Sequence, residues 1–295
     1  MAKLKTNKVF VVGTVQEVNT NIGTAKNGKT YIGGKIIVRV DAEPQSLIEF
    51  KLFAFETTNA GTTNKMFESY KKLDGFLQKR VRVSGELQEG SMINQSTGTI
   101  NKFNEIRLTY VNNAKADEKD CATFEFGGFV TKAIYERRNK DDELIGHRIE
   151  IGQANYNDTN MQVIRFDVDK NDVNIAAAIE SSYEPGMTVS FSGIINHTSR
   201  TETKIEEVSF GEPTVKSYVV TDKVYRICGG NVPLSEDDPS AYASAEIKTL
   251  IDAYKKADVE KLEKAKEESA DADTAAPTAN NEMSKLTRTR ASSLI

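Results

Sequence analysis

The chain offers little for bond-making chemistry. Its two histidines, His147 and His197, and two cysteines, Cys121 and Cys228, sit in no metal-ligand or nucleophile motif, so a zinc site, a Ser-His-Asp triad or a histidine general base has nothing to build on. No Walker loop, ligase-type lysine motif or convincing pair of catalytic carboxylates occurs. Asp167, Asp169 and Asp172 cluster in sequence, but without the spacing of a calcium loop they read as a solvated acidic edge. The reading is therefore non-catalytic, with no metal and no cofactor. What the chain does carry is a cationic and aromatic set: Tyr31, Lys35, Arg39, Lys51, Phe53, Phe55, Arg80 and Arg82, with Lys26 and Lys29 just before Tyr31 and Lys102-Phe103 further on. Lysine and arginine neutralise phosphates and release counterions. Rings stack on bases at roughly 1–3 kcal/mol per base, whichever base it is. Such a set suits single-stranded nucleic acid read with little sequence specificity.

These residues need strands to share a face. In Ile48-Glu49-Phe50-Lys51-Leu52-Phe53-Ala54-Phe55, alternation puts Ile48, Phe50, Leu52 and Ala54 inside and Glu49, Lys51, Phe53 and Phe55 outside. Lys35 and Arg39 point outward from 35–40, with Tyr31 of the same parity. Arg80 and Arg82 point outward from 80–87. With strands at 9–15 and 104–111, and a helical stretch at 64–73 carrying Met66, Phe67, Tyr70 and Leu73, the order is strand, strand, strand, helix, strand, strand. The connection from Glu89 to Asn104 reads as a long loop.

The order then recurs: strands at 124–130, 145–151 and 161–168, a helix at 174–183, strands at 187–195 and 205–210. Gly85 matches Gly193, and Gly33 matches Gly146, as expected of an internal repeat with loop insertions. Five strands with a helix between the third and fourth is the order of the OB-fold, a small Greek-key barrel that binds oligonucleotides or oligosaccharides. The fold expected is mainly β, with two tandem OB-fold barrels, a C-terminal α-helix and a disordered tail. The units expected are 1–113, 114–234, a helix over 235–268 and a tail over 269–295. A further run at 218–228 is expected to pack on the second barrel. The helix should start at Asp238-Pro239, bury Ile247, Leu250, Ile251 and Tyr254, and become almost wholly charged from Lys255. Residues 269–295 have little to bury.

The net charge of −4 averages unlike parts: +6 over 1–112 (16 Lys+Arg, 10 Asp+Glu), −7 over 113–217 (12 and 19) and −3 over 218–295 (11 and 14). The basic first part is the expected strand binder. In the second copy, aligning Lys51 with Arg165 sets Asp167 and Asp169 against Phe53 and Phe55, so carboxylates replace the rings, leaving Arg137, Arg138, Arg148 and Arg165 to extend the site. Lys3, Lys5, Lys71 and Lys72 read as ordinary solvated charges. No run approaches 18 apolar residues, the N-terminus lacks the apolar core of a signal peptide, and two cysteines make no disulfide framework; the expectation is a cytoplasmic protein.

The chain resembles single-stranded DNA-binding proteins, especially those encoded by bacteriophages. The resemblance rests on the 48–55 strand, the 65–73 helix and Val81-Arg82-Val83-Ser84-Gly85-Glu86-Leu87, which is similar to the V-x-V-x-G-x-L fourth strand of the bacterial family. It covers residues 8–112 well and 123–213 as a divergent copy. It implies coating and protection of exposed strands in DNA replication, recombination and repair, and recruitment of replication proteins through the C-terminal helix or tail. Two features depart from the family: the chain has no tryptophan, so Tyr31, Phe53 and Phe55 must substitute, and its end is basic then apolar rather than acidic with a Pro-Phe tip. The competing reading is a structural or adaptor protein, a virion component or replisome scaffold, whose barrels contact protein.

Overall fold

The computed structural model describes residues 3–41, 45–94, 97–206 and 214–274. It is mainly β. In chain order the elements are β1 (Asn7–Thr24), β2 (Thr30–Val40), β3 (Ser46–Phe55), α1 (Lys65–Tyr70), β4 (Arg80–Asn94), β5 (Thr99–Asn113), β6 (Cys121–Arg138), β7 (Leu144–Ala154), β8 (Met161–Asp169), α2 (Val173–Ser182), β9 (Thr188–Glu206), β10 (Thr214–Gly230) and α3 (Ser244–Thr274). No helix among the described residues is long and apolar enough to cross a membrane.

In the first half the pairings run β1–β2–β3–β5–β4 and return to β1, with β3–β5 parallel and the others antiparallel. The second half repeats this circuit as β6–β7–β8–β10–β9 and back to β6, with β8–β10 parallel. The helix falls between the third and fourth strands of each circuit. Two glycines mark the same point in both. A Cβ on Gly85 would meet the Arg107 carbonyl oxygen at 2.6 Å, and one on Gly193 would meet that of Arg226 at 2.0 Å. Only glycine permits strands to approach so closely there.

Alternation builds each core. Ile48, Phe50, Leu52 and Ala54 of β3 are buried beside Val81, Val83, Ile106 and Leu108. Asn64 caps α1 by accepting from the Met66 amide, and Tyr70 donates from its buried hydroxyl to the Leu108 carbonyl at 2.6 Å. Burial pushes that phenol up to about 12. In the second half Phe124, Phe126, Phe166 and Phe191 form one ring cluster.

The halves are joined in three ways. β1 and β6 pair antiparallel from Asn7↔Phe126 to Val12↔Cys121, so one sheet runs through both circuits. The β4–β5 hairpin lies across β8: the Glu89 amide donates to Gln162 Oε1 at 3.3 Å, and Asn104 bonds both the Arg165 carbonyl (2.6 Å) and its amide (3.1 Å). The β9–β10 hairpin lies across β3 in the same way: the His197 amide donates to Ser46 Oγ at 2.6 Å, and Lys223 reaches Glu49 at 3.7 Å. The contacts are related by a pseudo-two-fold through the β1–β6 pair.

Several expectations change. Residues 89–104 are not a long loop; β4 and β5 extend together as a hairpin from Val81↔Asn113 to Asn94↔Thr99. Its outer part is polar because it leaves its own core and docks on the other half, so it lacks a one-face apolar alternation. The fifth strand of the repeat is β10, not 205–210: Ile205 lies on β9, and the 218–228 run is part of β10, which closes the second circuit. α3 starts at Ser244 rather than Asp238-Pro239. Asp238 Oδ1 accepts from the Ser240 amide (2.7 Å), the Tyr242 amide donates to Thr188 Oγ1 (2.9 Å) and the Leu4 amide donates to the Ser240 carbonyl (2.9 Å), which hold this stretch in a turn against β9. Ile247, Leu250, Ile251 and Tyr254 then pack with Phe129, Ala154, Met161 and Val163. α3 continues to Thr274, past the expected tail boundary at 269, since Lys, Glu and Ala favour helix without burial; residues 275–295 lie outside the described residues. Lys3 and Lys5 are not simply solvated: Lys3 pairs with Glu246 (3.0 Å) and Lys5 with Asp158 (2.5 Å).

His197 sits at the junction, 1% exposed, edge-on to Tyr225 with ring centroids 5.5 Å apart. Burial and the nearby Lys223 ammonium, opposed by Glu49, push its pKa down to about 3. The folded chain thus holds it neutral, whereas the unfolded chain protonates it near its ordinary value. Stability from this group is complete above about pH 6.5 and falls, by about 1.4 kcal/mol per pH unit, as pH drops toward 3. Urea titrations of the full chain at stepped pH should show a steeper loss below pH 6.5 for the wild type than for His197→Phe; parallel curves refute this.

Candidate nucleic-acid interface

β2 and β3 bring the predicted rings together. Register pairs Tyr31 with Phe55, Gly33 with Phe53 and Lys35 with Lys51. Tyr31 stacks on Phe53 (centroids 5.3 Å, planes 29° apart), and Phe53 meets Phe55 edge-on at 5.1 Å. Phe53 is 45% exposed. Gly33 leaves room between the rings: a Cβ there would touch Phe53 at 3.6 Å and Tyr31 at 3.7 Å. The Lys29 ammonium lies 6.0 Å from the Phe55 ring centroid. Lys29 and Lys26 stand in the β1–β2 turn, where Gly28 takes the left-handed conformation (φ 78°) and Asn27 Oδ1 accepts from the Lys29 amide. Both lysines are exposed, and no carboxylate among the described residues pairs with them.

Below the rings the face is charged on both signs. Glu49 takes Lys51 at 3.4 Å, Lys35 at 3.6 Å and Lys223 at 3.7 Å. Burial raises its carboxyl pKa, but the Lys223, Lys51 and Lys35 ammonium groups outweigh burial and hold it below the usual carboxylate range. Lys35 also faces Glu17 at 3.5 Å. Arg107 neighbours Lys51 across the parallel β3–β5 pair. Arg39 lies eight residues along β2 from Tyr31, roughly 26 Å away at the usual strand rise, and pairs with Asp41 at 2.9 Å.

The remaining predicted cations are engaged elsewhere. Arg80 binds Asp120 (2.6 Å) and the carbonyls of Lys115 and Glu118; Arg82 binds Glu118 at 3.0 Å. Both pin the 114–120 connection to β4, at the far end of the face from the rings. The Lys115 amide and the Arg82 guanidinium together hold the Glu118 carboxyl below the usual range. Lys102 is bonded to Asp258 and sits 3.7 Å from the Tyr254 ring centroid, tying β5 to α3. Phe103 remains partly exposed across from Gly90. Sequence parity reports which way a side chain points, not which partner meets it, so it gathered these arginines with the ring cluster, and Lys102 joined them from what read as a loop.

The second half differs from its expected alignment. The parallel bridge that joins Lys51 to Arg107 joins Asp167 to Arg226. Lys51 therefore corresponds to Asp167 rather than Arg165; Phe53 corresponds to Asp169, and Glu49 to Arg165. Asp167 is no solvated edge: it is buried, and Arg148 (2.8 Å) and Arg137 (2.7 Å) both bind it. Asp169 bonds Asn171 and Asp172 faces Arg226 at 3.7 Å. Arg165 faces Glu89 at 3.7 Å, and Arg138 pairs with Glu136. Sequence reading missed Lys223 and Tyr225, because β10 was not recognised as the fifth strand. Between the halves lies a cleft of ≈ 140 Å³ lined by Lys102, Phe103, Arg148, Arg165, Lys223 and Tyr225, with Asn104 and Asp167.

The family model described as YorF matches residues 5–268. Among solved structures, the chain is similar to the wild-type single-stranded DNA-binding protein from Thermus aquaticus (9% identity, 82% of this chain and 98% of that chain, TM-score 0.49) and to a deletion mutant of the same protein (10% identity, 80% and 98%, TM-score 0.47). No curated protein matches by sequence.

The Lys102 contacts make a structural prediction. Lys102→Ala should cost about 1–3 kcal/mol of local stability and speed hydrogen exchange over residues 254–266, with β2 and β3 unchanged. Unaltered exchange in α3 would remove Lys102 from the packing of that helix.

Proposed function

The chain belongs to the YorF family, and we propose that it is a non-catalytic single-stranded DNA-binding protein made of two tandem OB-fold barrels. The pairing circuit with a helix between its third and fourth strands supports the OB assignment for each half, over 1–113 and 114–234. α3 and the residues beyond it form the rest of the chain. The observation that carries the function is the three-ring cluster of Tyr31, Phe53 and Phe55, with Phe53 exposed and the other two half-buried, beside Lys29 and Lys26. Large rings stacked at the surface give up the burial that β3 offers its inward-facing side chains, and a base stacked on Phe53 restores it.

In this reading the strand lies along β2 and β3. Bases stack on the rings, while Lys26 and Lys29 meet phosphates, joined by Lys35 and Lys51 once these leave Glu49 and Glu17. Arg39, Arg80, Arg82 and Lys102 contribute less than their charge suggests, because their carboxylate partners must be displaced first. Phe103 extends the apolar surface toward the cleft. Binding of this type serves to coat and protect exposed strands in phage DNA replication, recombination and repair, in the host cytoplasm. The exposed outer part of α3 and the residues after it are the surfaces offered to replication proteins.

Fluorescence anisotropy with oligo-dT and duplex DNA at several salt concentrations tests the reading. Oligo-dT should bind more tightly than duplex, with an affinity that falls as salt rises. Phe53→Ala should lose about 1–3 kcal/mol of binding, roughly five-fold to over a hundred-fold, with the melting temperature little changed because the ring is half exposed. Equal affinity for duplex and oligo-dT, or no binding of either, would leave the protein-contact reading in its place.

A further inference from the structure

The cleft between the halves holds two buried donors that make no hydrogen bond among the described residues, one of them Arg165 Nη1, which faces the Glu89 carboxylate at 3.7 Å. Tyr225 is 2% exposed, and among the described residues its hydroxyl has no hydrogen-bond partner; neither has the buried Nη1 of Arg165. Both residues line the same ≈ 140 Å³ cleft. A buried phenol without a partner costs roughly 1–3 kcal/mol, and a guanidinium nitrogen costs more. Native chains rarely leave two such groups together without an acceptor to serve.

The surrounding charges select the acceptor. Lys102, Arg148, Arg165 and Lys223 all line the cleft. Of the carboxylates near it, Asp167 is shared by Arg137 and Arg148 and Glu49 by Lys35, Lys51 and Lys223, while Glu105 also acts electrostatically on the Tyr225 phenol. Glu89 accepts from Tyr254 at 2.5 Å and faces Arg165 at 3.7 Å, beyond hydrogen-bond reach. Lys223 faces both ways, toward Glu49 on the β3 face and into the cleft. A phosphate oxygen fits two hydrogen-bond donors with the Lys223 ammonium and the Arg148 guanidinium beside them. The cleft also continues the β3 face: Glu49 is four residues from Phe53 on the same side of one strand, roughly 13 Å at the usual rise.

We infer that this cleft is a phosphate subsite, in which Tyr225 and Arg165 donate to a backbone phosphodiester of a strand already stacked on Tyr31 and Phe53, with Lys223 closing the charge. The inference rests on the strand-binding reading and extends it: the second half takes part in binding although its net charge is negative, through one built pocket rather than through a basic surface.

The decisive variant is Tyr225→Phe in the full chain, which removes one oxygen and keeps the ring. Because the hydroxyl is unpartnered in the free protein, the variant should melt at the same temperature as the wild type or higher. Affinity should fall about three- to ten-fold for an oligo-dT of about 16 nucleotides and stay unchanged for one of about 4, which reaches only the rings. Phe53→Ala should weaken both lengths. Equal affinity of Tyr225→Phe and wild type for the long strand overturns the subsite while leaving strand binding intact, and means the donors serve water alone. If the wild type binds no oligo-dT, the strand-binding reading has failed and inorganic phosphate decides the cleft. In that arm a rise in melting temperature larger for wild type than for Tyr225→Phe at equal ionic strength supports a free-phosphate pocket, and identical rises overturn it.

Discussion

The antiparallel pairing of β1 with β6 is the contact on which the rest of the molecule depends. A five-strand circuit of this size buries a small core and leaves long hairpins whose outer parts have nothing of their own to cover. Pairing Val9 with Phe124 and Val11 with Ala122 makes one sheet of two circuits. It also turns each half so that its fourth and fifth strands land on the third strand of the other. Those landings supply the partners that the polar outer hairpins need: Glu89 and Asn104 on Gln162 and Arg165, His197 and Lys223 on Ser46 and Glu49. Asn7 of β1 strengthens the joint by bonding the Leu87 backbone and the Gln153 side chain at once.

That joint also decides how much of the positive charge is available. Counted along the chain, the first 112 residues are strongly basic. In three dimensions Arg80 and Arg82 hold the connecting segment and Lys102 holds α3, while Lys35 and Lys51 share Glu49 with a lysine from the other half. Two exposed lysines that pair with no carboxylate among the described residues, Lys26 and Lys29, stand beside the rings in the β1–β2 turn. Stacking there carries more of the proposed affinity than charge does, and salt should weaken binding less than the number of lysines and arginines suggests, since an engaged cation releases fewer counterions.

The parts legible in the sequence were those fixed by local physics. Alternation in β3 separated Phe50 from Phe53 correctly, and the order of strands and helix in both copies followed from periodicity. Gly85 and Gly193 were recognisable as a pair because close strand approach leaves no other choice of residue. The illegible parts were set by the other half of the molecule. The β4–β5 extension looked like a loop because its partners lie on β8 and α3, and β9 was divided because the stretch between Ile195 and Ile205 is polar, so its far end looked like a separate fifth strand. The two-residue slip that matched Lys51 to Arg165 instead of Asp167 kept parity, so nothing in the hydrophobic pattern opposed it; only the parallel bridge to Arg226 fixes the register.

With that register, the charges on the two third strands are inverted. Glu49 and Lys51 of β3 correspond to Arg165 and Asp167 of β8, and the residues that dock on them also correspond: Glu89 with His197, and Asn104 with Lys223, since each pair is cross-strand in its own hairpin. Had β8 kept the charges of β3, a glutamate at 165 would face Glu89 across a largely buried junction, a repulsion worth several kcal/mol when two halves dock. Inverting β8 relieves it, placing Arg165 opposite Glu89 on one side while Lys223 meets Glu49 on the other. The same inversion brings Arg165 into the cleft beside Arg148, the counterpart of Lys35. The arginine that β8 adds to the cleft between the halves is therefore one result of a single requirement, that the two copies of the circuit fit against each other without matching like charges.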